Sequence, residues 1–148
     1  MAVANTFSYD DASPSFELAK KALALRKDIN ESYGLVGRGR DYQQADCLNE
    51  LGASLDPIID NLSFVYNLVT LSSQMIDPMD ELAVNDTLAI NTSNAIKLLA
   101  ESRRHALAQG ALCSQSALVN TYAQKAATVA DNATALLSAI NMKSRRRR

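Results

Sequence analysis

A chain of 148 residues, 47% apolar and 5% aromatic with no tryptophan, is long enough to bury the core of one domain. Five glycines and three prolines are too few for a turn-dense β chain, and no apolar run reaches the length of a membrane-spanning helix. The net charge of −1 hides a segregation: residues 41–96 carry nine acidic side chains and no basic one, whereas residues 97–148 carry nine basic and two acidic ones.

Residues 1–13 read as a flexible arm with two aromatics, Phe7 and Tyr9, available to dock. The arm has neither the basic start nor the apolar stretch of a secretory signal, so the expected setting is cytoplasmic or an intracellular particle. Ser13-Pro14 then opens a helix over 14–33, with Glu17 in its first turn and Phe16, Leu18, Ala19, Ala22, Leu23, Leu25 and Ile29 as its apolar residues. Gly34 is the expected closing residue, because glycine enters the left-handed conformation at no steric cost.

The connector 34–40 holds three glycines and two arginines, Arg38 and Arg40. It lacks the Gly-Lys-Ser/Thr ending of a phosphate loop, so the two arginines are candidate anion or nucleic-acid contacts without a nucleotide motif. Asp41 is placed to cap a segment over 42–55. Asp56-Pro57 then starts the most regular apolar stripe, with Ile58, Leu62, Val65 and Val69 on one helical face. Leu48, Leu51 and Leu55 keep the same register before the proline. A kink or tight break at Pro57 is the expectation, and one kinked continuous helix is the alternative.

Asp77-Pro78 repeats the acid-plus-proline start and opens a helix over 78–109, closed by Gly110. Its inward residues read as Val84, Leu88, Ala95, Leu98, Leu99 and Ala106. A last helix over 112–142 carries Val119, Tyr122, Ala126, Val129, Ala133, Leu136 and Ile140 at three-four spacing. Lys143 begins a basic tail through residue 148, in which Arg145, Arg146, Arg147 and Arg148 are consecutive. Four adjacent arginines repel one another, so they stay solvated or meet an acidic partner.

Chemistry-bearing motifs are sparse. His105 is the sole histidine and reads as a helix-terminal surface residue, with no nucleophile motif beside it. Asp77, Asp80, Glu81 and Asp86 lack calcium-loop spacing and fit helix capping better. Cys47 and Cys113 share no metal spacing and read as two reduced thiols. Asn-X-Ser/Thr sequences at Asn30, Asn61, Asn85, Asn91 and Asn132 carry no weight without export.

The expected fold is therefore all-α: an elongated antiparallel bundle of four principal helices with a short helical segment before Pro57, spanning residues 14–142. The expected function is a non-enzymatic structural or interaction protein with no catalytic residue, cofactor or metal. It would act through helix faces on a second copy of itself or on a helical protein partner. The alternative is a nucleic-acid-associated packaging or coat-type subunit using Arg38, Arg40 and the terminal arginines.

Overall fold

The computed structural model describes residues 4–146. It is an all-α bundle of four helices: α1 (Ser13–Arg38), α2 (Tyr42–Gln74), α3 (Pro78–Leu112) and α4 (Ala117–Ser144), preceded by one 3-10 turn (Tyr9–Asp11). Short connections force successive helices to run antiparallel. Cross-helix pairs confirm the register: Arg26 meets Asp56, Ser72 meets Asn85, and Arg103 meets Asp131. α2 also approaches α4 across the diagonal, while α1 and α3 do not meet. The alanines of α4 allow this, since Ala123, Ala126, Ala130 and Ala133 are buried and small enough for close helix approach.

Two of the three acid-led helix starts, at Asp41 and Asp77, fall where the sequence puts them. The Asp77 carboxylate accepts from the Met79 N–H at 2.8 Å, and the Asp41 carboxylate accepts from the Gln44 N–H at 3.2 Å. Each satisfies a backbone donor that the helix itself leaves unpaired. Ser116, in turn, caps α4 by accepting from the Val119 N–H at 3.1 Å, so α4 begins at Ala117 rather than at residue 112.

Three further boundaries differ from the sequence reading. α1 runs through Gly34 and Gly37 to Arg38, and no glycine among the described residues has a positive φ. Arg40 takes that conformation instead, at φ 66°. α2 is one helix through Pro57, so it is continuous, as the alternative reading had it, and a break there is absent. Proline removes a backbone donor, but Leu48, Leu51, Leu55, Ile58, Leu62, Val65 and Val69 are all buried in one line on both sides of it. Burying that line outweighs one lost hydrogen bond. α3 likewise passes Gly110 and ends at Leu112, because Gly110 serves packing. A Cβ there would lie 3.1 Å from Asn120 Oδ1 and 3.3 Å from Ala123 Cβ on α4.

The inward faces also need correction. Leu98, Phe16 and Leu23 are exposed, while Asn85, Thr92, Ser102 and Gln109 lie in the α3 interior. Helix geometry makes this tolerable. Thr92 Oγ1 donates to the Leu88 carbonyl at 2.7 Å, and Asn85 Oδ1 accepts from Ser72 Oγ at 2.6 Å.

The N-terminal stretch, expected to be flexible, packs onto the bundle from Asn5 onwards. Phe7 is 1% exposed. Asn5 Nδ2 donates to the carbonyls of Ser72, Ser73 and Met75, satisfying the orphan acceptors at the end of α2. The Thr6 N–H donates to the buried Glu81 carboxylate at 2.7 Å.

Candidate interaction surface

The up-and-down topology gives the bundle two unlike ends. One end gathers the α1–α2 and α3–α4 connections. The other gathers the α2–α3 connection, the N-terminal stretch and the end of α4. Arg38 and Arg40 belong to the first end, Arg145 and Arg146 to the second. α4 alone, at 28 residues, is about 42 Å long at 1.5 Å per residue, so the two basic groups cannot grip one small anion together. Arg147 and Arg148 lie outside the described residues.

At the first end, Cys47 and Cys113 form a disulfide across 66 residues, which overturns the reading as two reduced thiols. Antiparallel α2 and α3 bring the start of one beside the end of the other, with the two Cα atoms 6.7 Å apart. Both cysteines are buried. A shallow cavity of about 540 Å³ lies beside the bridge, lined by Gln43, Gln44, Gln115 and Ser116 among others. Its α2 edge is already capped by the Asp41 carboxylate, which fills the place an anion would take.

At the second end, the tail is partly tied down. Lys143 Nζ pairs with Asp11 Oδ2 at 3.0 Å and lies 5.4 Å from the Phe7 ring centre. Arg145 donates from Nε to Asn141 Oδ1 and from an Nη to Ser93 Oγ, both at 3.0 Å. Beside this basic end, Ile76 on the α2–α3 connection and Met79 in the first turn of α3 are 97% and 71% exposed.

Between the ends, the α2–α3 seam presents an outward border. His105 Nε2 meets Glu50 Oε2 at 2.9 Å, tying α3 to α2 at a half-exposed position. Leu98 lies seven residues before His105, on the same line of α3. Phe64 and Leu71 lie fourteen and twenty-one residues after Glu50, on the same line of α2. All three apolar side chains are exposed, and so is Ile90 on α3. Sequence periodicity missed this border because it assigned Leu98 to the core.

The charge segregation survives folding. Among the described residues, the contact between His105 and Glu50 joins residues 41–96 to residues 97–148, and it is an ion pair only when the histidine is protonated. Asp56 turns to Arg26 instead, and Asp131 to Arg103. Asp46, Asp60 and Asp80 are exposed. No cluster of three or more metal-ligating side chains occurs among the described residues, and no helix there is long and apolar enough to cross a membrane. No protein-family model matches the chain, and comparison with curated proteins and with solved structures gives no significant match.

Proposed function

We propose that this protein is a non-enzymatic helical interaction module that associates with further copies of itself, using the apolar α2–α3 border and the segregated charge. The observation that carries this reading is that Asp46, Asp60 and Asp80 of the acidic part are exposed and, among the described residues, pair with no lysine or arginine. A bundle that neutralised its own halves would have little charge left to direct a partner. This one keeps an acidic α2 flank and a basic α4 end apart, which supports contact between copies.

Such a contact joins different patches on the two partners. Made reciprocally it closes a two-fold dimer, and made head to tail it builds rings or filaments. Exposed ion pairs contribute only about 0–1 kcal/mol each and are screened over roughly 8 Å at physiological ionic strength, so they set register. Phe64, Leu71, Ile90 and Leu98 would supply the desolvation that makes association stable. The buried Cys47–Cys113 bridge supports an oxidising compartment over the cytosolic setting that free thiols imply.

Analytical ultracentrifugation across salt concentrations tests this. Wild type should sediment as species larger than a monomer at low salt and smaller at high salt. Phe64→Asp with Leu98→Asp should be monomeric, and reversal of Arg145, Arg146, Arg147 and Arg148 to Glu should weaken association. A wild-type monomer at every salt concentration would overturn the reading. Salt-sensitive nucleic-acid binding lost in the reversed tail, with assembly unchanged, would replace it with the packaging alternative.

A further inference from the structure

Eleven asparagines, in a chain where about one residue in seven is Ser or Thr, would give one or two Asn-X-Ser/Thr sequences by chance. This chain has five. Such sequences are inert in a cytosolic protein, and the disulfide changes that premise, because the compartment that forms such bridges in a secreted chain also transfers N-linked sugars. We propose that the protein carries N-linked glycans at Asn132 on α4 and Asn30 on α1, and none at Asn85.

The fold sorts the five. Asn132 and Asn30 are exposed, and neither side chain makes a hydrogen bond among the described residues. Asn85 is 2% exposed, and its amide oxygen accepts from Ser72 Oγ at 2.6 Å between α2 and α3. A sugar on its amide nitrogen would have to occupy the core, so a chain modified there cannot close the α2–α3 packing. Asn61 and Asn91 are half-buried, and their amide nitrogens donate to the Pro57 and Thr87 carbonyls at 2.7 and 2.9 Å. Those bonds hold each amide against its own helix, part-buried at Asn61 and exposed at Asn91. The selected pair also leaves the α2–α3 border free of sugar.

The reaction needs a lipid diphosphate-linked oligosaccharide as donor and the membrane-bound transferase that uses it. The Asn amide nitrogen forms a bond to the sugar C1, the C1–oxygen bond to the diphosphate breaks, and the amide loses one proton. The lipid diphosphate leaves with the bonding electron pair. Transfer precedes folding, so helical location of the acceptor does not prevent it, while burial in the finished core selects against the modified chain.

The inference rests on the oxidising-compartment reading and not on self-association. Protein isolated from its own source should be digested with and without reduction to map the 47–113 linkage. A parallel sample should be treated with peptide-N-glycosidase F in ¹⁸O water. The expected result is a linked Cys47–Cys113 peptide, a fall in intact mass, and ¹⁸O-labelled aspartate at 132 and 30 but not at 85. Asn132→Gln and Asn30→Gln, expressed in that source, should each lose one glycan. A linked disulfide with no mass change would overturn the glycan proposal alone. Free thiols with no mass change would overturn the compartment reading and the proposal with it. Labelled aspartate at 85 in folded protein would overturn the burial argument, and a glycan on only one of the two selected residues would remove the other.

Discussion

Lys143 Nζ lies 3.0 Å from Asp11 Oδ2, joining the end of α4 to the turn that precedes α1 across 132 residues of chain. The same carboxylate oxygen accepts the Ser8 backbone N–H at 2.8 Å. Partial desolvation opposes ionisation of Asp11. The Ser8 hydrogen bond and the Lys143 ammonium outweigh it and hold the carboxyl below its ordinary value of 3.8. A depressed carboxylate pKa stabilises the fold at pH values above the unfolded pKa, and that stabilisation is lost as pH falls through the folded one. Asp11→Asn should therefore lower stability by about 1 kcal/mol at pH 7, allowing for partial solvent exposure of the pair. The gap between variant and wild type should close as pH drops below 3.8. Thermal melts of both proteins from pH 7 to pH 2 measure this, and a gap independent of pH would remove the charge from the explanation.

Gly34 distinguishes two descriptions of the end of α1. If it closed the helix in a left-handed conformation, alanine would be strained there. Its actual place is inside α1, with nothing within 4 Å of an added Cβ. Gly34→Ala should then stabilise by about 0.5–1 kcal/mol through helix propensity and reduced unfolded-state entropy. Arg40→Gly should also stabilise, by roughly 1 kcal/mol, since Arg40 holds the positive φ that glycine adopts freely. Denaturant midpoints for the two variants test both, and destabilisation by Gly34→Ala would restore the shorter helix.

The bridge between α2 and α3 closes a long loop, which removes entropy from the unfolded chain. Replacing Cys47 and Cys113 together by alanine should cost about 2–4 kcal/mol. Urea unfolding of the double variant against oxidised wild type gives the difference. Equal midpoints would show that helix packing alone fixes the relative position of the two ends.

Leu62 is fully buried in the centre of α2, and Leu62→Ala should cost about 2–5 kcal/mol. Asp77→Ala should cost about 1 kcal/mol through loss of the bond to the Met79 N–H. Chemical unfolding separates the two sizes of effect. A near-neutral Leu62→Ala would place that face of α2 outside the core.

Residue by residue, the sequence determined what depends on neighbours within about one helical turn. The caps at Asp41 and Asp77, the line from Leu48 to Val69 through Pro57, and the all-helical class were legible because hydrogen bonding and apolar spacing are local. The charge segregation was legible too, as a property of order along the chain. Only the tertiary structure decided which helix ends meet. That decision joins Cys47 to Cys113, carries Asn5 to the carbonyls ending α2, and sets Arg38 and Arg40 at the opposite end of the bundle from Arg145 and Arg146. It also rotates α3 so that Asn85 enters the interior and Leu98 leaves it. Periodicity could not foresee that exchange, because a weakly amphipathic helix has no dominant apolar face of its own. The face α3 buries is set by hydrogen bonds from Ser72 on α2 and Asn141 on α4, partners remote in sequence.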